Sequence, residues 1–167
     1  MAADPGRSPA QVAAALTGAA TTGLVTGAGS GSPNRLLHTG AGTTPPPASA
    51  RYTSAGGRCL DASLATPGVV HAWDCHEGTN QQWTTGEDRT LRALGKCLDV
   101  QGNAAADGTP VILWDCHGGA NQQWTQTGAT LVSAATGKCL DAGVGANGTA
   151  LVIRACNGST GQNWTRS

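Results

Sequence analysis

Residues 95–124 read GKCLDVQGNAAADGTPVILWDCHGGANQQW, and two further copies of this pattern flank them. Residues 57–83 read GRCLDASLATPGVVHAWDCHEGTNQQW, and residues 137–164 read GKCLDAGVGANGTALVIRACNGSTGQNW. Each copy opens with Cys-Leu-Asp, carries a second cysteine further along and closes on a tryptophan. A period of roughly 40 residues indicates a repeat architecture, in which each unit is too short to bury a core by itself.

The local pattern within each copy favours β-strands. In the second copy, residues 97–100 alternate, residues 103–108 have the composition of a turn, and residues 111–114 are rich in β-branched and aromatic side chains. Residues 123–125 begin another strand, and no segment of the copies has the period of an amphipathic helix. Three all-β units that share one core around a threefold axis predict an all-β fold, the β-trefoil.

The chain outside the copies has a different character. Residues 1–40 share no motif with them, and a short helix is predicted there with Ser8 as its N-cap. This stretch makes a poor signal peptide, because its apolar run is weak and is interrupted by Gln11. Residues 41–50 form a Pro-rich linker, so the folded domain is predicted to span residues 51–167. Its repeats are placed at about 51–92, 93–134 and 135–167.

Ten basic residues balance ten acidic residues over the 167 positions of the chain. Neither a basic footprint for nucleic acid nor an apolar run long enough to cross a bilayer is present in the sequence. We therefore expect no nucleic-acid partner and no membrane partner. The chain is also expected to be a monomer and to need no cofactor.

The six cysteines fall two to a copy. Repeat symmetry favours disulfides within the copies, each worth roughly 3 kcal/mol in the chain-entropy model. The predicted pairs are Cys59–Cys75, Cys97–Cys116 and Cys139–Cys156. Zinc is the rival interpretation, but Cys-x-x-Cys is missing and adjacent Cys-His is poorly spaced for a tetrahedral ion, so no metal site is predicted. Disulfides indicate an oxidising compartment and hence a secreted, extracellular protein.

The recurring Cys-Leu-Asp, Trp-Asp-Cys-His and Asn-Gln-Gln-Trp motifs resemble the ricin B-chain type lectin domain. Within that family they are most similar to the family 13 carbohydrate-binding modules attached to secreted bacterial hydrolases. The resemblance covers residues 51–167. It implies a β-trefoil that binds carbohydrate, in which the closing Trp83, Trp124 and Trp164 are buried in the core.

A sugar pocket needs an aromatic face for the apolar side of the ring and short polar side chains for its hydroxyls. The residues that match the sugar-binding positions of the family are Asp61, Trp73, His76, Asn80 and Gln81 in the first repeat, and Asp99, Trp114, His117, Asn121 and Gln122 in the second. The third repeat keeps Asp141, Asn157 and Gln162 as weak candidates. It has Arg154 at the stacking position and Gly161 in place of the leading Asn, so we expect a poor or silent site.

Other interpretations of these residues stay open. The aspartates could satisfy turn amides, and the glutamines that follow Asn80 and Asn121 could brace the fold instead of contacting a sugar. His71 stands where the second repeat has Ile112, and it is either an exposed strand residue or part of the pocket edge. A glycosidase built on Asp61/Asp74 or Asp99/Asp115 is disfavoured, because acids that recur by repeat symmetry suit equivalent binding sites better than one catalytic pair.

Three N-terminal segments carry a second resemblance. Residues 4–12, 18–23 and 31–37 resemble the C-terminal end of the catalytic domain of secreted, proteinase K-like serine proteases of the subtilisin family. The triad segments of that family have no counterpart here, and Ser30, Ser32 and His38 are not substitutes for them. Residues 1–40 are thus interpreted as a protease remnant that does not fold alone, and the chain as given is predicted to be no enzyme.

The predicted function is carbohydrate binding by a secreted lectin module that directs an attached hydrolase to glycans. Galactose-type and xylose- or arabinose-type glycans are both candidates. The alternative is that the chain is the C-terminal part of a secreted subtilisin-like protease whose catalytic residues lie outside it. A trefoil that recognises protein instead of sugar is a third interpretation, which would leave two pockets with an aromatic and an acid unexplained.

Overall fold

A computed structural model describes residues 48–167, together with two short strands in the N-terminal part. The chain divides between residues 46 and 47 into two units. In the first unit, β1 (Ala20–Thr22) pairs antiparallel with β2 (Arg35–Leu37). The helix predicted from Ser8 and most of the protease-like segments lie outside the described residues.

The second unit begins with β3 (Ser49–Ala50), ahead of the predicted boundary at residue 51. Each repeat then contributes four main strands in the same order. In the first repeat these are β4 (Tyr52–Ser54), β5 (Arg58–Ala62), β6 (Val70–Asp74) and β7 (Trp83–Thr85). In the second they are β8 (Leu91–Ala93), β9 (Lys96–Val100), β10 (Thr109–Trp114) and β11 (Trp124–Thr127). In the third they are β12 (Thr130–Ser133), β13 (Cys139–Asp141), β15 (Val152–Arg154) and β16 (Trp164–Arg166), with a short β14 (Thr149–Ala150) before β15.

The strand pairing closes the three repeats into a ring. The last strand of each repeat pairs antiparallel with the first strand of the next, as β7 with β8 and β11 with β12. The final strand, β16, returns to β4 and sets Trp164 opposite Ser54. The third strands also meet one another in turn, through β10 with β15, β14 with β6, and a bridge between Val69 and Ile112. This arrangement confirms the predicted β-trefoil.

The core is built from the same contacts in each repeat. The closing tryptophans Trp83, Trp124 and Trp164 are buried, as the family resemblance implies. Their indole N–H groups donate to the carbonyls of Leu60, Leu98 and Leu140 at 2.8, 2.9 and 3.1 Å. These leucines are the middle residues of the Cys-Leu-Asp triplets, so the core fixes the strand from which each aspartate projects. A chain without phenylalanine fills its centre in this way with leucine and tryptophan.

The three predicted disulfides are confirmed. Each joins the second strand of a repeat to the segment just beyond the third strand, and the pairs are Cys59–Cys75, Cys97–Cys116 and Cys139–Cys156. The bridges hold the end of the third strand, which carries the candidate stacking residue, against the strand that carries the aspartate.

Four short 3₁₀ helices complete the described fold, at Thr79–Gln81, Gln101–Asn103, Ala120–Gln122 and Thr160–Gln162. The sequence does not predict them, because three residues are too few to show a helical period. No helix in the described part of the chain is long and apolar enough to cross a membrane.

Candidate functional site

The first element of the candidate site is the aspartate that ends each Cys-Leu-Asp triplet. Asp61, Asp99 and Asp141 are all buried, at 2, 3 and 4% exposure. Residues that alternate along a strand point to opposite faces, so each leucine faces the core and each aspartate faces away from it. A buried carboxylate requires hydrogen-bond donors, and these identify the remaining residues of the site.

Two of the donors come from the 3₁₀ turn that precedes the core tryptophan. In the first repeat, Asn80 Nδ2 and Gln81 Nε2 donate to Oδ2 of Asp61 at 2.9 and 2.7 Å. In the second repeat, Asn121 Nδ2 and Gln122 Nε2 donate to Oδ2 of Asp99 at 2.9 and 2.8 Å. The tight turn is what allows two consecutive side chains to reach one oxygen atom.

The glutamines are fully buried and use all of their polar atoms within the protein. Gln122 Nε2 also donates to the carbonyl of Asp115, and its Oε1 accepts from the backbone N–H of His117. Gln81 and Gln162 repeat these contacts in their own repeats. In this structure the glutamines therefore position the carboxylate and the end of the third strand, and a fully buried glutamine presents no surface to the pocket.

The histidine after the second cysteine is held over the carboxylate from the other side. His76 Nε2 lies 3.3 Å from Oδ2 of Asp61, and its Nδ1 accepts from the backbone N–H of Gly78 at 3.0 Å. His117 makes the equivalent contacts with Asp99 and Gly119 at 3.4 and 3.2 Å. An Nδ1 that accepts leaves the proton on Nε2, directed at the carboxylate.

The glycines beside these histidines belong to the site, and the sequence analysis missed them. A Cβ at Gly78 would lie 2.6 Å from the ring of His76, and one at Gly119 would lie 2.8 Å from the ring of His117. The signal available in the sequence was the shared His-x-Gly spacing in the first two repeats.

The candidate stacking residues are exposed at the rim. Trp73 is 40% exposed and Trp114 is 55% exposed. Trp73 stands opposite Cys59 across the β5–β6 pair, on the same strand face as Asp61. Register thus places the aromatic ring and the carboxylate side by side, as the sequence analysis predicts for a sugar pocket.

Each of the first two aspartates lies beneath a pocket. The pocket of the second repeat has a volume of about 460 Å³ and is lined by Asp99, Ile112, Trp114, His117 and Asn121, with residues 101–103 on its far side. The pocket of the first repeat has about 210 Å³ and is lined by Asp61, His71, Trp73, His76 and Asn80, with residues 63–65 beside them. Apart from the buried glutamines, every candidate of the first two repeats lines a pocket.

The third repeat brings its candidates together differently. Gly161 leaves a space where Asn80 and Asn121 stand in the other repeats, and the carbonyl of Gly143 lies 2.5 Å from where its Cβ would be. The backbone N–H of Gly143 donates to Oδ1 of Asp141 at 2.6 Å, and Gln162 occupies Oδ2 at 3.1 Å. The loop after β13 therefore covers the carboxylate with its own backbone. Asn157 is exposed, and its Oδ1 accepts from the N–H of Ser159.

The arrangement suits recognition of hydroxyl groups. An ionised carboxylate accepts strong hydrogen bonds, the imidazole and amide supply further polar contacts, and the indole offers an apolar face. Asp74 and Asp115 are exposed and paired with Arg58 and Lys96, away from the buried aspartates. Within residues 48–167 and the two N-terminal strands, no three His, Cys, Asp or Glu side chains are grouped to hold a metal ion.

Comparison with known proteins agrees with this geometry. The family model described as ricin-type beta-trefoil lectin domain matches residues 50–164. The designed threefold-symmetric protein ThreeFoil superposes with a TM-score of 0.64 at 29% identity, covering 71% of this chain and 96% of that one. A non-toxic homologue of type II RIPs from Momordica charantia, solved in complex with alpha-methyl-D-galactoside, gives 0.64 at 26% identity, covering 71% and 46%.

The lectin of Polyporus squamosus, bound to the epitope Neu5Aca2-6Galb1-4GlcNAc, gives a TM-score of 0.60 at 27% identity, covering 72% of this chain and 49% of that one. This chain thus matches about half the length of the Momordica and Polyporus proteins. The family match extends over all three repeats, from the first core strand to the last core tryptophan. The chain belongs to the ricin-type β-trefoil lectin domain family.

Proposed function

We propose that the β-trefoil unit is a non-catalytic carbohydrate-binding module. The observation that carries the proposal is the second pocket, where an exposed indole stands beside a buried carboxylate. Oδ2 of Asp99 accepts from Asn121 and Gln122, while Oδ1 has no hydrogen-bond partner among the described residues. When a buried carboxylate has one unpaired oxygen facing a pocket, that oxygen is a ready acceptor for a ligand hydroxyl.

Galactose-type sugars are the first class to test. Two relatives above 25% identity are described in complex with a galactoside or a galactose-containing glycan. In such a complex, the carboxylate of Asp99 would accept from two neighbouring hydroxyls, and the indole of Trp114 would pack on the C–H face of the ring. Xylose- and arabinose-type polymers present similar vicinal hydroxyls and form the second class.

We further propose that the module is secreted and holds an attached hydrolase near its glycan. Three disulfides support an oxidising compartment. The protease-like segments of the N-terminal part support a serine protease of the subtilisin family as the attached enzyme. In that case proteolysis would be the activity of the parent protein, and the trefoil would serve to localise it.

The test is binding of the full chain, with disulfides intact, to immobilised galactosides and to insoluble xylan. Trp114→Ala should abolish most of the retention, because it removes the stacking surface while leaving the buried Trp124 in place. Val144→Ala is the matched control, since Val144 is an exposed apolar side chain of the third repeat outside both pockets. Retention that survives in Trp114→Ala would move the site elsewhere, and no retention by the wild-type chain on either matrix would contradict the proposed function.

A further inference from the structure

The first two pockets differ at one position that the strand register places opposite the aspartate. Across β5 and β6, Asp61 faces His71. Across β9 and β10, Asp99 faces Ile112, and across β13 and β15, Asp141 faces Val152. Directly opposed side chains of an antiparallel pair are in contact range. Only in the first repeat, therefore, does a polar side chain lie directly opposite the aspartate.

From this position His71 contacts Oδ1 of Asp61. The equivalent oxygen of Asp99 has no partner among the described residues. Nε2 of His71 lies 3.0 Å from Oδ1 of Asp61, and the histidine side chain is only 15% exposed. Asn80 and Gln81 already donate to Oδ2. Both oxygens of Asp61 are thus engaged within the protein, whereas Ile112 has no polar atom to offer to Asp99.

The same imidazole also lies on the stacking surface. The rings of His71 and Trp73 have centroids 5.0 Å apart and planes inclined by 20°, an offset stack. Trp114 has no aromatic ring stacked on it in the part of the chain that the structure describes. The difference follows from the strand period, because residues two apart on β6 project from the same face.

The dimensions of the two pockets agree with this difference. The first pocket has about 210 Å³ against about 460 Å³ for the second. Asn80 is buried where its counterpart Asn121 is partly exposed, and Oδ1 of Asn80 is buried without a hydrogen-bond partner. The first pocket holds the same kinds of candidate residue as the second. Its volume is smaller, and its carboxylate oxygen Oδ1 is already in contact with His71.

From these contacts we propose that His71 closes the first pocket and makes the two sugar sites unequal. The inference rests on the proposed carbohydrate binding and adds that the second pocket is open as built. A sugar enters the first pocket only after the imidazole rotates off Asp61 and Trp73. If the open form is about a tenth of the population, the apparent affinity of the first pocket falls about tenfold relative to its intrinsic value.

Acrylamide quenching of tryptophan fluorescence tests the closure without any ligand. His71→Ile copies the second repeat into the first and should increase the quenching of Trp73. Ile112→His copies the first repeat into the second and should decrease the quenching of Trp114. Each variant is measured in a background where the other exposed tryptophan is replaced by phenylalanine. His71→Ala serves as a second opening variant in case isoleucine packs poorly, and thermal unfolding checks that every variant is folded.

Binding is tested on the full chain by following the indole N–H resonances of Trp73 and Trp114 during titration with methyl α-D-galactoside. In the wild type we expect Trp114 to titrate at a concentration about tenfold lower than Trp73. His71→Ile should bring the two midpoints together, and Ile112→His should weaken the Trp114 site by about the same factor.

Three outcomes would overturn the inference. Equal midpoints for the two tryptophans in the wild type would show that His71 does not obstruct the first pocket. Weaker titration of Trp73 in His71→Ile would show that the imidazole is a contact for the sugar and not its competitor. Unchanged quenching in the opening variants would show that the ring does not cover Trp73.

Failure of the proposed function gives a different result. If neither tryptophan responds to methyl α-D-galactoside or to xylotriose in any variant, carbohydrate binding in these pockets is contradicted, and with it the claim of two unequal sugar sites. The quenching experiment still decides whether His71 lies over Trp73, because it requires no ligand.

Discussion

At the scale of single residues, the buried glutamines connect fold and site. Gln122 joins Asp99, the carbonyl of Asp115 and the N–H of His117 through one side chain. Replacing it leaves several buried groups without partners, and each such group costs about 1–3 kcal/mol. The fully buried glutamines thus hold the carboxylate and the histidine in place and present no surface to the pockets.

We therefore expect Gln122→Ala to lower the free energy of unfolding by about 2 kcal/mol or more and to weaken binding in the second pocket. Urea denaturation and galactoside titration measure the two effects. Gln82→Ala is the control, because the side chain of Gln82 is partly exposed and makes no hydrogen bond among the described residues. Equal stability of the two variants would contradict the bracing role.

The core and rim tryptophans should respond differently to the same substitution. Trp83→Phe removes the donor to the carbonyl of Leu60 and leaves a gap in the core, and it should cost about 1–3 kcal/mol. Trp114→Phe removes part of an exposed ring and should leave stability nearly unchanged. Parallel denaturant titrations check this, and a similar loss in both variants would mean that Trp114 also supports the core.

The contrast between predictable and unpredictable residues has a physical basis. The aspartates and the core tryptophans could be read from the repeats, because these positions recur and depend on strand alternation. The contact of His71 with Asp61 depends on the register between their two strands, which the sequence does not fix. A shift of one residue would place His71 on the other face of the sheet. The closure of the third pocket depends on the backbone path after Asp141, for which the only sequence signal is the pair of small residues Gly143 and Gly161.

At the scale of elements, the loops decide which carboxylates are accessible. The loop after β13 lies over Asp141 because Gly161 has no side chain to exclude it. In the second repeat, the position of Gly161 is taken by Asn121, in the 3₁₀ turn before Trp124. Asn121 donates to the carboxylate of Asp99, and the pocket above it stays open. Two glycine substitutions separate these loop effects.

Gly161→Ala should destabilise the fold by about 1–3 kcal/mol, since the new methyl group meets the backbone of Gly143. The methyl group of Gly119→Ala meets only side chains, those of Asn121 and His117, which can move. This variant should therefore cost little stability but weaken binding in the second pocket. Calorimetry and sugar titration of the two variants test the contrast. A stable Gly161→Ala variant would show that the loop yields easily.

A pair of contacts between elements of the second and third repeats is sensitive to pH. The carboxylate of Asp107, between β9 and β10, accepts from Lys138 and from the backbone N–H of Ala155. The hydrogen bond from Lys138, aided by that of Ala155, holds the pKa of Asp107 below its ordinary value. The folded state therefore favours the ionised form, and this stabilisation is present above the ordinary pKa and is lost as the pH falls through the lowered one.

Asp107→Asn should accordingly lower the melting temperature at pH 7, and the difference from the wild type should shrink as the pH falls below about 4. Thermal melts between pH 7 and pH 2 measure this difference. A difference that stays constant over that range would mean that the charge of Asp107 contributes nothing to the effect.

At the scale of the whole molecule, the trefoil is stabilised by three repeats of one strand pattern and by three bridges. Each disulfide closes a loop with a sequence separation of 16, 19 or 17 residues. In the chain-entropy model, each such bridge is worth about 3 kcal/mol. The β-trefoil was predictable at this scale because threefold recurrence of strands and cysteines specifies the architecture without any knowledge of register.

Reduction should therefore lower the melting temperature strongly, and carbohydrate binding should be lost together with the fold. Calorimetry with and without a thiol reductant provides the measurement. A reduced protein that melts at the temperature of the oxidised protein would show that the bridges add little to the packing of the three repeats.

The pairing of β16 with β4 brings two distant parts of the chain into contact. Arg51 and Ser167 exchange backbone hydrogen bonds in both directions, at 2.9 and 3.0 Å. A short glycine linker from Ser167 to Ser49, which retains β3, could therefore convert the trefoil into a circular permutant. With new ends cut between Ala104 and Ala105, in an exposed loop of the second repeat, the same ring would be assembled from a reordered gene. The order in which the three repeats are synthesised is then set by the gene and not by the fold, since the ring can be closed at a different repeat.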